Sequence, residues 1–128
     1  MRITHIALWT ADLERMTAFW AEMFDAIPGG LYHSARRPGF SSRFLRLPEG
    51  PTLELMTAPW LAGDIDPGRE RPGWAHVAIS VGSESKVRDL AARLTEEGAL
   101  VSPPRLTGDG YYEAVVRDPD GNLIEITV

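Results

Sequence analysis

Cysteine is missing from the 128-residue chain. Its absence excludes disulfides, thiolate metal sites and a cysteine nucleophile, and leaves histidines and carboxylates to carry any chemistry. Lysine is almost missing too, Lys86 being the only one among 13 basic residues. The arginines are scattered apart from Arg36 and Arg37, and the net charge is -5. No basic stripe can track a phosphate backbone, so nucleic acid is not an expected partner. No apolar run approaches the ~20 residues of a membrane span. The opening stretch MRITHIALWT has too short an apolar run for a secretory signal, so no membrane partner and a cytoplasmic location are expected. The length suits one domain, 1–128, able to bury a core without covalent staples.

What the chain does have is an internal repeat. HIAL at His5 to Leu8 returns as HVAI at His76 to Ile79, an offset of 71. RLPEGPTLEL at Arg46 to Leu55 returns as RDPDGNLIEI at Arg117 to Ile126 at the same offset, with no gap. In that register Met16, Phe19, Trp20 and Met23 fall on Val87, Leu90, Ala91 and Leu94. Gly39-Phe40 falls on Gly110-Tyr111.

Periodicity gives the plan of each half. Ile3 to Trp9 reads as a strand, and Asp12 to Phe24 as an amphipathic helix with Leu13, Met16, Trp20 and Met23 at spacings of three and four. Thr10 or Asp12 can cap it. Strands are expected at Tyr32 to Ser34, Ser42 to Leu47 and Thr52 to Met56, the last two joined by the turn Pro48-Glu49-Gly50. The second half repeats this, with strand Trp74 to Val81 and helix Ser83 to Glu97 stopped by Gly98. Strands Leu100 to Ser102, Tyr111 to Arg117 and Leu123 to Val128 follow, the last after the turn Pro119-Asp120-Gly121-Asn122. The expected fold is α+β: two βαβββ modules, 1–57 and 74–128, forming a curved mixed sheet. Residues 58–73, rich in Pro, Gly and charge, read as a linker and a candidate lid.

The repeat also carries His5 onto His76 and Glu54 onto Glu125. Strands alternate faces, and Ile6, Leu8, Leu53, Leu55 and their counterparts form the aliphatic phase. The four polar residues hold the opposite phase and can converge on the concave side of the sheet. Two imidazoles and two carboxylates suit Zn, Ni, Co, Mn or Fe(II), with open positions for water or substrate. The plain alternative is four ordinary strand residues facing solvent. His33 falls on Pro104 and is read as surface or pocket wall.

HIALWTADLERMTAFW, GWAHVAISVGS, TGDGYYE and DPDGNLIEIT together resemble the vicinal oxygen chelate superfamily. This is the group of glyoxalases, bleomycin-resistance proteins and extradiol dioxygenases, and the chain looks most like its small bacterial glyoxalase I-like proteins, the lactoylglutathione lyase family. The resemblance spans essentially the whole chain and implies a glyoxalase-like fold of paired βαβββ modules. It implies that His5, Glu54, His76 and Glu125 bind a divalent metal, Ni, Zn or Co before Fe(II) or Mn. It also implies a homodimer with sites shared between chains, acting on a small-molecule substrate.

The activity implied is that of a metal-dependent lyase or isomerase. A proton moves by way of an enediolate held by the metal, with Glu125 as base and Glu54 in the complementary role. Small bacterial glyoxalases that use glutathione carry an arginine near the end of the first strand. This chain has Trp9 there, which weighs against glutathione. Trp9, Trp60, Phe40, Met56 and Tyr111 are candidates for an apolar pocket, and Arg43 for binding an anionic substrate from the concave face. Tyr112 or Glu113 is expected near the pocket mouth. The same superfamily offers alternatives: Fe(II) ring cleavage, thiol transfer, and non-catalytic drug binding, whose representatives lack the ligand set.

Overall fold

A computed structural model describes residues 2–61, 63, 72–108 and 110–128. The chain divides into two compact units, Met1–Asp64 and Ile65–Val128. The lid expected within 58–73 lies in part, at 62 and 64–71, outside the described residues.

The first unit runs β1 (His5–Trp9), α1 (Leu13–Phe24), β2 (Ile27–His33), β3 (Ser41–Arg46) and β4 (Thr52–Thr57). The second runs β5 (Val77–Ser80), α2 (Glu84–Glu96), β6 (Leu100–Leu106), β7 (Tyr112–Arg117) and β8 (Leu123–Thr127). Each is a βαβββ module with its own four-stranded sheet, ordered β1-β4-β3-β2 in one and β5-β8-β7-β6 in the other. The first strand of each module pairs parallel with the last, and the other pairings are antiparallel. The repeat read from the sequence is therefore the repeat of the fold.

The helices form where pattern and caps agree. The carboxylate of Asp12 accepts the N–H of Arg15 at 3.0 Å, and Ser83 Oγ accepts that of Lys86 at 3.3 Å, each satisfying a first-turn donor that has no helical partner. α1 buries Leu13, Met16, Phe19, Trp20 and Met23 and lies on β2, β3 and β4, over Leu45, Leu53 and Leu55. α2 buries Val87, Leu90, Ala91 and Leu94 against β6, β7 and β8. Each large aliphatic side chain buried this way contributes about 1.5–3 kcal/mol. β1 and β5 are edge strands, so Ile6, Leu8, Val77 and Ile79 are only half-buried. Among the described residues no helix is long and apolar enough to cross a membrane.

Two strands are longer than their sequence suggests. β2 runs through Pro28-Gly29-Gly30 and β6 through Pro103-Pro104, residues that read as breaks. Both strands lie at a sheet edge and carry register shifts at these points. An edge strand has N–H groups that no ladder uses, so proline costs little there and the bulge absorbs the irregularity.

Candidate functional site

Opposite its helix each sheet presents a second face, whose composition follows from register. On the first module, Ala7 sits beside Glu54 in the parallel pair, and Phe44 sits across from Glu54 in the antiparallel one. His5, one pleat from Ala7, brings its Nε2 to 3.9 Å from Glu54 Oε2. On the second module Ala78 and Val115 flank Glu125, and His76 Nε2 lies 3.5 Å from Glu125 Oε2. The two histidine side chains are 46% and 44% exposed and the two glutamates 18% and 19%. The duplication thus reproduces a His–Glu pair in geometry and burial as well as in sequence.

Two ligands bound at about 2.1 Å to one ion stand roughly 3.0–3.4 Å apart. The observed separations are close to that span, and imidazole with carboxylate is a donor set of suitable chemistry. Each pair fits a divalent metal after a small side-chain adjustment. Thr4 Oγ1 lies 3.3 Å from His5 Nδ1, where it holds the ring with Nε2 toward Glu54. Among the described residues no three His, Asp or Glu side chains gather as a metal cluster; the expected ligands come together as two pairs.

Two expected site residues are on the wrong face. Arg43 pairs across to Leu55, on the helix side, and its Nη2 donates to Glu14 of α1 at 2.7 Å. It does not reach the face of Glu54, because Phe44 takes the position opposite that carboxylate. Tyr112 likewise shares the phase of Ala114 and Val116 beneath α2, and its hydroxyl accepts from Arg88 at 3.4 Å. Its neighbour Glu113 faces the other way, opposite Thr127.

The remaining expectations divide by location. Trp9 and Met56 are paired on the Glu54 face, and Phe40 is buried with its ring edge-on to Trp9 at 5.9 Å. Trp60 is half-exposed, with the guanidinium of Arg37 5.3 Å from its ring and 4.9 Å from that of Phe40. His33 bonds Ser41 through Nδ1 at 2.8 Å. Tyr111 lines a pocket of about 510 Å³ in the second module together with His76, Ala78 and Glu125. Thr107, Glu113 and Thr127 complete that lining.

Sequence reasoning missed Phe44, whose ring stands edge-on to His5 at 5.7 Å, and the hydroxyls of Thr107 and Thr127. Phe44 was within reach. The turn at Pro48-Glu49-Gly50 sets which residues of β3 and β4 stand opposite, and counting outward from it reaches Phe44 and Glu54 together.

These features define a class: a tandem βαβββ protein in which each sheet carries one His–Glu pair on its helix-free face. Residues 2–126 match the family model of the Glyoxalase/Bleomycin resistance protein/Dioxygenase superfamily, and the chain belongs to that superfamily. The superfamily contains many enzymes, and its members typically bind a divalent metal.

Among solved structures, a glyoxylase/bleomycin resistance protein/dioxygenase domain from Frankia sp. EAN1pec is similar with TM-score 0.84 and 23% identity, over 100% of this chain and 97% of that one. A structure described as a possible glyoxalase from Bacillus cereus gives 0.73 and 27%, over 100% and 99%. Glyoxalase I from Zea mays gives 0.78 and 22%, over 98% of this chain and 44% of its own. The likenesses to the Frankia and Zea mays proteins establish shared fold. No curated protein matches the chain.

Proposed function

We propose that the protein is a metal-dependent lyase or isomerase of the glyoxalase I kind, in which His5, Glu54, His76 and Glu125 hold one divalent ion, Ni, Zn or Co. The observation that carries this reading is the pair of His–Glu contacts at 3.9 and 3.5 Å, repeated at corresponding positions of both modules. A site needing a single ordinary ion pair has no reason to duplicate it with its face, flanking alanine and burial intact.

Once bound, the ion supplies positive charge against which negative charge on two adjacent substrate oxygens develops. The chain's residues do the rest. Glu125 takes the proton from the carbon next to a carbonyl, and the electron pair left behind spreads onto the vicinal oxygens. The proton returns to the neighbouring carbon, from Glu125 itself or from Glu54 in the complementary role. The net change is a proton shift between adjacent carbons, matched by a proton passing from the hydroxyl oxygen on the first carbon to the former carbonyl oxygen, with no external oxidant or reductant. Tyr111, Thr107 and Thr127 offer hydroxyls that orient the oxygens, while Trp9, Met56 and Phe44 supply apolar contact.

We read the protein as a homodimer with sites shared between chains, acting in the cytoplasm on a small oxygenated molecule. The test begins with metal analysis of the purified protein and of His76→Ala and Glu125→Ala. Activity of Ni-, Co- and Zn-loaded protein on the methylglyoxal–glutathione hemithioacetal is then measured, with light scattering for the oligomeric state. The expected result is metal bound by the wild type, lost in both variants, with isomerisation of an oxoaldehyde-derived substrate. A folded wild type that binds none of these metals overturns the reading. Oxygen uptake with Fe(II) moves it to ring cleavage.

A further inference from the structure

The repeat allows the two faces to be compared position by position, and the comparison separates what the modules share from what they do not. The shared set is small: His5, Ala7 and Glu54 correspond to His76, Ala78 and Glu125. Around it four wall positions change, while Phe44 and its counterpart Val115 both stay apolar. Trp9, Phe40, Ser42 and Met56 of the first module become Ser80, Tyr111, Glu113 and Thr127 in the second. Three apolar residues and a serine have been exchanged for three hydroxyls and a carboxylate.

Glu113 is the largest of these changes. It lines the same pocket as His76 and Glu125, and its side chain is 10% exposed. A carboxylate charge buried to that extent is costly unless it is paired. Arg105, directly across on β6, pairs with it, donating from Nη2 to Glu113 Oε1 at 3.1 Å. Arg105 is itself steadied by Ser102 Oγ. At the corresponding first-module positions stand Ser42 and Ser34, so the βαβββ fold does not require this ion pair.

We infer that Glu113, positioned by Arg105, is a specificity-determining residue of the second-module pocket. It accepts a hydrogen bond from a hydroxyl or ammonium donor of the substrate and disfavours an anionic group at that point. A carboxylate has about four lone-pair directions and can accept from a ligand while bonded to arginine. Among the described residues lining the pocket there is no Lys or Arg, and Glu113 is the lining carboxylate outside the proposed ligand set. A substrate carboxylate placed there meets like charge at short range in a partly dehydrated site, whereas a hydroxyl meets an acceptor. The substrate class indicated is a neutral or cationic molecule with a hydroxyl or amine next to its vicinal oxygens. This deepens the proposed function, on which it rests for the location of the reacting group.

The test uses a matched pair of probes, hydroxyacetone and pyruvate, which share a methyl ketone and differ in a neutral donor against an anion. Dissociation constants for both are measured by NMR titration on Ni-loaded wild type and Glu113→Gln. The ratio of the pyruvate to the hydroxyacetone constant is expected to fall about tenfold in Glu113→Gln, as the repelling charge is lost. A ratio unchanged within twofold overturns the inference. A purely structural role for Glu113 would weaken both probes together and leave the ratio alone. If Glu113→Gln does not fold, the double variant Glu113→Ser with Arg105→Ser, which places the first-module residues at both positions, is read instead, with a fall in the ratio expected and an unchanged ratio counting against. If the wild type takes up no metal, the proposed function fails, and the titrations on metal-free protein still decide the role of Glu113 by the same ratio.

Discussion

Asp118 shows how one side chain can both order a turn and oppose its own charge. It is 5% exposed. Its carboxylate accepts the backbone N–H groups of Asp120 at 3.0 Å and Asn122 at 2.9 Å, and the Asn122 side-chain amide at 2.8 Å. Burial pushes the carboxyl pKa above its ordinary value, outweighing the hydrogen bonds from Asn122 and Asp120 that pull it down. The folded state therefore holds this proton more tightly than the unfolded one. Its contribution to stability falls as pH rises from the ordinary carboxylate range through the raised folded pKa, and is level above it. Urea unfolding of wild type and Asp118→Asn at stepped acidic pH is expected to show the wild type losing ground to the variant across that window. A constant difference would contradict the assignment. Arg43 and Tyr112 teach a second lesson at single positions: a polar residue in a strand is informative only once its face is known, and both belong to the helix side.

Among the elements, the connection from β2 to β3 depends on one glycine. Phe40 donates its N–H to Arg37 O at 2.9 Å and accepts from Ser34 N at 3.1 Å, closing a loop in which Gly39 has φ +89°. A Cβ there would stand 2.9 Å from the Pro59 ring. Gly50, in the β3–β4 turn, has a similar φ of +91° but open space around it. Gly50→Ala is expected to cost about 1 kcal/mol from backbone strain. Gly39→Ala pays that cost and a clash, and about 2–4 kcal/mol is expected in urea unfolding. Equal losses would show that Pro59 yields freely. The edge strands β2 and β6 were the least legible elements for a related reason. Glycine and proline mark breaks in a chain considered alone, but at a sheet edge with bulges they do not break the strand.

For the molecule as a whole, a ligand that binds only the folded state raises its stability by mass action. Metal at 100 times its dissociation constant adds about 2.7 kcal/mol. Thermal unfolding is expected to move up on adding Ni or Zn and back down with chelator. If both modules contribute ligands, Glu54→Ala and Glu125→Ala each lose most of that shift. Loss in one module's variant alone would assign the ion to one pair.

The duplication, the α+β class and the four candidate ligands could be read directly, because a repeat at constant offset in strands of period two fixes both position and phase without any knowledge of pairing. The tertiary structure decided what surrounds those ligands. Which of Tyr112 and Glu113 faces His76 depends on strand register, and the Arg105–Glu113 ion pair depends on two strands meeting side by side. Those are properties of chain pairing, set by turns and by the burial of one apolar face under a helix. Amino-acid type at a single position does not contain them.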